Sequence, residues 1–509
     1  MTERSLFLQP KGVALVCFAL LAGFTLKFQL LFWPFVTDDA YITFRYAERL
    51  LAGEGLTFNP GDRVEGFSNP LWLFLLAGTK YVFGGDIINW ARGLGLFFAA
   101  GTLLALWWTV GSFRAFALAL ALLLVTPGFQ VYASLGMEVP LLMFLLMLGV
   151  GASVRASPEK PYLILLAAFC FGLAGITRPE GLFYAALWGL GLVWHWRGRP
   201  LCWLFAAGGV TLAPALAYQL FRIRYYGEWL PNTAIAKSVA GLFGNMPWLT
   251  EWLQWCPTLL LLALIPLACG PSGDEREVRR LRGLALGPIL AGVVFTLYAG
   301  SDWMMFGRFF LPVWPLVVCV LSVYCAGRSR CIGGEWKQFV VMLFVVLGSL
   351  AGWLGTAIPF LSNQTLASML MRGQDQVAVG TWLAETYPQP LTVATNRIGA
   401  VSYYAKQHTV RDFLGLTDMD QARAIRASRG GLLDIVTLSS QNPILQQKPD
   451  ILLVTRSPVT GTAHPYSEGE LRLLEPDYAL VRRFPQGKWG TFDVWAKHGL
   501  TGIKPNLNN

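Results

Sequence analysis

Hydrophobic and polar positions alternate on a long wavelength along most of this chain. From Lys11 to about Phe360, apolar runs recur at roughly 16 to 24 residues, close to the ~20 that span a bilayer as a helix. The first runs from Val13 to Val36, with Lys27 inside it and Arg4 and Lys11 ahead of it. It is too long for a signal-peptide core and shows no clear cleavage site, so it is expected to be an uncleaved first crossing. Further crossings are expected at about 138–154, 161–176, 181–195, 201–222, 255–270, 284–300, 309–326 and 338–357. Between 70 and 126, three apolar pieces (70–84, 93–110 and 115–126) compete for two crossings. The pattern predicts about eleven transmembrane helices.

Beyond residue 358 the wavelength shortens. LTVAT (391–395), HTVRDFLGL (408–416), DILLVT (450–455) and FDVWAK (492–497) have strand length, and MDQARAIRAS between them reads as a helix. The alternation predicts a small α/β domain. The expected fold class is an all-α polytopic membrane protein carrying a C-terminal α/β domain. The expected division is a transmembrane module over 1–357, with a first outer loop at 37–69, and the α/β domain over 358–509.

Charge gives the orientation. One set of loops is basic: Arg155 and Lys160; Arg197 and Arg199; Arg276, Arg279, Arg280 and Arg282; Arg328, Arg330 and Lys337. The positive-inside rule places these in the cytoplasm, together with the N-terminus. The first outer loop and the last 150 or so residues then lie outside the cytoplasmic membrane. The composition agrees: 54% of residues are hydrophobic and only 14% charged. The net charge of +10 belongs largely to these loops and implies no nucleic-acid partner. The eight cysteines lie in or beside apolar segments without zinc spacing and read as buried thiols. No Walker loop or glycine-rich nucleotide fingerprint occurs.

Polar chemistry concentrates in the outward loops. Asp38 to Ala52 reads as an interfacial helix, with Tyr41, Phe44, Ala47 and Leu51 as its apolar stripe and Arg45, Glu48 and Arg49 on its polar side. The adjacent Asp38 and Asp39 either cap that helix or do chemistry. Glu65 closes the same loop. Glu138, Arg178 and Glu180, Glu228 and Lys237, and Asp302 and Arg308 fall in other outward loops. Many charges converging on one membrane face, framed by aromatic residues, suit a polar lipid head group; each alone could equally be a solvated or helix-anchoring residue.

The stretch TDDAYITFRYAERLLAGEGLTFNPGDRVEGFSNPLW resembles the first outer loop of the GT-C glycosyltransferases, integral membrane enzymes that take sugars from polyprenyl-phosphate donors. Its D-D-A-Y-I-T-F-R pattern is most similar to the bacterial branch that includes the mycobacterial terminal β-arabinofuranosyltransferases. SLGMEVPLL, TRPEGLF, YYGEWLPNTAIAK, GSDWMMFGRFFLP and VRDFLGLTD resemble that branch in the same order. The resemblance implies inverting transfer of a single sugar, pentose or hexose, to a glycan, glycolipid or protein acceptor on the outer face of a bacterial inner membrane. It implies Asp38 as general base, with Asp39 orienting the acceptor or exchanging roles with it. A polyprenyl phosphate leaves as an anion and needs no strong acid, so one well-placed carboxylate suffices. Arg45, Arg178, Lys237 and Arg308 are candidates for the donor phosphate. Glu65, Glu180, Glu228, Asp302 and Trp303 are candidates for sugar and acceptor contacts. The basic residues can neutralise a monophosphate, so no obligatory metal is expected. Rival readings are a transporter or flippase of lipid-linked sugars, which would be expected to show repeats and midplane charges, and transfer of an oligosaccharide or phosphoethanolamine by the same architecture.

Overall fold

The computed structural model describes residues 23, 25, 27, 29, 32–197, 200–236, 275–299, 304, 306–329, 365–427, 442–456, 474–485 and 491–500. The chain divides into two compact units. One comprises 1–34, 91–218 and 241–362; the other comprises 35–90, 219–240 and 363–509. The compact unit that holds the C-terminal residues thus also takes in most of the first outer loop and a segment near residue 230, which composition along the chain does not indicate.

The first unit is helical. Val139–Arg155, Tyr162–Thr177, Gly181–His195 and Trp314–Ser329 each lie within a few residues of an expected crossing. Small residues let these helices approach: Gly149 faces the Phe171 ring, where a Cβ would come within 2.9 Å. Phe171 stacks on Trp188 at 4.4 Å, and the Trp188 Nε1–H donates to Ser153 Oγ at 2.9 Å. Among the described residues, three helices are long and apolar enough to cross a membrane: Ile87–Val110, Cys202–Tyr226 and Val278–Ala299. Six more, including Pro70–Phe83 and Phe113–Leu124, are apolar but only 10–17 residues long. The expected basic loop at Arg276–Arg282 is instead the start of a helix, Glu275–Ala299. Arginine is a strong helix former, so a basic run leading into an apolar one continues the helix rather than breaking it. The expected crossings at 255–270 and 338–357 lie outside the described residues. Of the cysteines, Cys170 and Cys319 are buried free thiols, while Cys202 is exposed.

The second unit is built on a five-stranded sheet: β1 (Thr392–Thr395), β2 (Thr409–Asp412), β3 (Ile451–Arg456), β4 (Tyr478–Pro485) and β5 (Thr491–Lys497), in the order β2-β1-β3-β5-β4. β1 pairs parallel with β2 and β3; β5 pairs antiparallel with β3 and β4. Alternate residues feed two cores. Val393, Ile451, Leu453 and Val494 face Val379 and Leu383 of the Thr365–Thr386 helix. Ala394, Leu452, Val454 and Trp495 face Phe413 and Ile444. Coverage on both faces explains why β3 reads as an unbroken apolar run. The strand that sequence reading misses is β4. Its Arg482 and Arg483 make it look like a loop, and among the described residues it pairs only with β5, at the edge of the sheet.

Candidate active site

The helix expected at 38–52 forms over Asp38–Leu51. Its capping position is Thr37, so both aspartates lie in the first turn, where the free N–H groups favour negative charge. Asp38 does not cap its own helix. Its carboxylate turns to the C-terminal domain, accepting from the Ala400 N–H at 2.7 Å and the Gly399 N–H at 3.3 Å. A Cβ on Gly399 would collide with the backbone oxygen of Asp38, so only glycine permits this approach. The Tyr41 ring lies 5.4 Å and 5.8 Å from those of Tyr403 and Tyr404, fixing the same contact on its apolar side.

Asp38 and Asp39 are both half-buried. Burial pushes the Asp38 carboxyl up to about 6; the Ala400 N–H opposes the rise, Asp39 adds to it, and Arg397 opposes it. A carboxylate near neutrality, half open and held by backbone donors, suits proton abstraction at physiological pH.

Arg45, expected as a candidate phosphate ligand, has its donors on backbone carbonyls. It is buried, not on a solvated face. Its Nε donates to Phe58 O at 2.8 Å, its Nη2 to His408 O at 3.0 Å and its Nη1 to Ser402 O, while the guanidinium lies 4.8 Å from the Phe58 ring centre. Burial lowers its pKa to about 9, with Arg49 adding to the fall. The seven-residue spacing from Asp38 does not put it on an open surface, because the helix is enclosed over Ala40–Ala47.

Glu65 is buried and paired with Arg222, Nε to Oε2 at 2.5 Å and Nη2 to Oε1 at 3.1 Å. The Glu65 carbonyl accepts from the Asn232 N–H at 3.0 Å, and Asn232 Nδ2 donates to Gly415 O at 2.7 Å and Leu416 O at 3.1 Å. A Cβ on Gly66 would meet Thr417 Cγ2 at 2.5 Å and Tyr46 Oη at 2.8 Å. This knot joins the end of the first outer loop to the turn after β2. In that turn Asp412 accepts from the Leu414 and Thr417 N–H groups at 2.8 and 3.0 Å, and burial pushes its carboxyl up to about 7 against them. Glu228 forms a surface pair with Arg423 at 2.8 Å rather than an open binding group.

The remaining described candidates belong to the other unit. Arg178 is buried between two glutamates, its Nη1 on Glu138 Oε1 at 2.6 Å and its Nε on Glu180. Burial works against its charge, but the glutamates more than offset it and hold its pKa above the ordinary arginine value. Its charge is balanced by both glutamates in a buried ion triad. Arg308 is buried, with Nη1 on Met304 Sδ at 2.9 Å and its guanidinium 5.1 Å from the Phe309 ring centre. Lys237, Asp302 and Trp303 lie outside the described residues. Sequence reading passes over Arg222, Asn232, Arg397 and Gly399. For Asn232 the signal is present in PNTAIAK, and for Gly399 in a strand followed at once by N-R-I-G and a short helix.

Residues 365–500 match a family model described only as a domain of unknown function. Two curated proteins are similar. A terminal β-(1→2)-arabinofuranosyltransferase of Mycobacterium tuberculosis is 31% identical over 40% of this chain and 35% of its own length. One of Corynebacterium glutamicum is 27% identical over 68% and 54%. The chain therefore spans about a third to a half of these relatives. The crystal structure of ArnT from Cupriavidus metallidurans bound to undecaprenyl phosphate superposes with a TM-score of 0.59 at 16% identity, covering 96% of this chain and 99% of that one. The chain thus shares the fold of this crystal structure over nearly its whole length.

Proposed function

We propose that this protein transfers a single sugar, arabinofuranose by its sequence relatives, from a polyprenyl-phosphate donor to a glycan, glycolipid or protein acceptor on the outer face of a bacterial inner membrane. The observation that carries this is Asp38: a half-buried carboxylate with its pKa pushed up to about 6, gripped by two backbone amides, in a chain of GT-C fold. Asp38 takes the proton of the acceptor hydroxyl as its oxygen bonds to the anomeric carbon. The bond from that carbon to the phosphate oxygen breaks, and the electron pair leaves with the polyprenyl phosphate. Asp39 orients the acceptor. The motif-based assignment of Lys237 and Arg308 to the donor phosphate belongs to the same proposal.

The test is a panel of polyprenyl-phosphate pentoses and hexoses supplied with an arabinan acceptor to the purified protein. Release of polyprenyl phosphate is expected with the arabinofuranosyl donor, with inversion at the anomeric carbon. Release with no sugar donor overturns the reading. Retention of configuration would replace single displacement with a double displacement, in which a carboxylate acts as nucleophile.

A further inference from the structure

The turn Asn396-Arg397-Ile398 follows the carboxyl end of β1. Open α/β sheets bind ligands beyond the carboxyl ends of their parallel strands, and β1 is parallel to both of its neighbours. Arg397 stands two and three residues before the amides of Gly399 and Ala400 that hold Asp38. Other arginines of the same unit are tied down: Arg45 to backbone carbonyls, Arg49 to Glu54, Arg222 to Glu65, Arg411 to Asp418 and Arg423 to Glu228. Arg397 differs. Among the described residues, its half-buried guanidinium makes no hydrogen bond and no ion pair, although it interacts electrostatically with both Asp38 and Asp39. Beside it, the Oδ1 of Asn396 is buried and also lacks a partner among the described residues.

A half-buried guanidinium without a partner leaves its donors open to an anionic ligand, whereas the Asn396 Oδ1 is an acceptor that a hydroxyl completes and a phosphate does not. Of the groups in the proposed reaction, the sugar and the acceptor hydroxyl are neutral, and only the donor phosphate is an anion. A phosphate arriving near two aspartates needs a cation to offset their repulsion, and a planar guanidinium fork matches its oxygens. We propose that Arg397 binds the phosphate of the polyprenyl-phosphate donor, so that the C-terminal domain of unknown function contributes directly to the substrate site. This inference rests on the donor class assigned above. Its rival is that Arg397 serves only as a counter-ion that tunes Asp38.

The experiment measures binding of undecaprenyl phosphate and of undecaprenol to the full chain in detergent or nanodiscs. Wild-type protein should prefer the phosphate. If it does not, the donor assignment itself fails, whatever Arg397 does. Arg397→Gln should bind undecaprenyl phosphate about ten- to a hundredfold more weakly, with undecaprenol binding unchanged as a control for the fold. Arg397→Lys should fall between, keeping the charge and losing the fork. The deciding arm repeats Arg397→Gln in an Asp38→Asn background. A phosphate ligand still loses its affinity there, whereas a counter-ion has nothing left to tune. Unchanged affinity in Arg397→Gln, or a loss that vanishes once Asp38 is neutral, overturns the proposal.

Discussion

Asp38 meets two demands that pull in opposite directions. In the proposed role of base it must ionise, yet it sits where ionisation is disfavoured. Its pKa is raised from 3.8 to about 6, so the folded protein holds this proton more tightly than the unfolded chain does. The contribution of the group to stability is therefore fully present below about pH 4 and is lost as pH rises through about 6. Activity runs the other way and should fall as pH drops through about 6, two units above an ordinary aspartate limb. Asp38→Asn separates the two. It should turn over about 10²–10⁴-fold more slowly, while its melting temperature should exceed that of the wild type near pH 8 and lose that advantage near pH 4. Equal melting temperatures at both pH values, or near-normal turnover, would remove Asp38 from the role of base. The position of this residue was legible in the sequence, because an aspartate pair at the end of a first apolar run is conspicuous. Its partners were not, since Gly399 and Ala400 lie more than 360 residues away, and the N-R-I-G turn after β1 marks a tight approach without saying to which residue.

The Asp38–Leu51 helix was legible as an element, and its environment was not. Periodicity identifies an apolar stripe, but it cannot say whether the opposite side meets water or another element. Here both sides are covered over Ala40–Ala47, which turns Arg45 from a surface cation into an internal clasp with three backbone carbonyls. Backbone carbonyls in an interior need donors, and a guanidinium supplies several in one rigid plane. Arg45→Gln leaves at least one of the three carbonyls unsatisfied and should destabilise the protein by about 2–4 kcal/mol, read as a lower melting temperature in detergent. If the residue were a phosphate ligand, the same substitution would instead weaken undecaprenyl phosphate binding in protein that melts normally. The sheet shows the same limit from another side. Four strands could be found from their apolar runs, whereas β4 carries two arginines along an outer strand, and only its pairing with β5 identifies it.

At the scale of the whole molecule, the second unit constrains topology in a way that charge counting alone could not. Asn59 in the first outer loop exchanges two hydrogen bonds with the backbone of Val410, both at 2.9 Å, and Asn232 donates to Leu416 at 3.1 Å. Groups joined in this way share one side of any membrane. The chain must then cross an even number of times between the first outer loop and residues 219–240, and again between there and the C-terminal domain. The apolar pattern satisfies both conditions, with two expected crossings in 70–126 and four more to residue 222, then four between 255 and 357. With the basic turn at Arg155–Lys160 on the cytoplasmic side, the positive-inside rule predicts that the first outer loop, the segment after Tyr226 and the C-terminal domain lie outside. The test uses single cysteines at Gly61, Pro158 and Lys406 in a cysteine-free background, all three at exposed positions. A membrane-impermeant maleimide applied to intact spheroplasts should label the Gly61 and Lys406 positions together and reach Pro158 only after permeabilisation. Labelling of Gly61 without Lys406 would contradict the shared unit. Labelling of Pro158 alone would invert the orientation, moving Asp38 and Arg397 to the cytoplasmic face and ending the case for transfer on the outer surface.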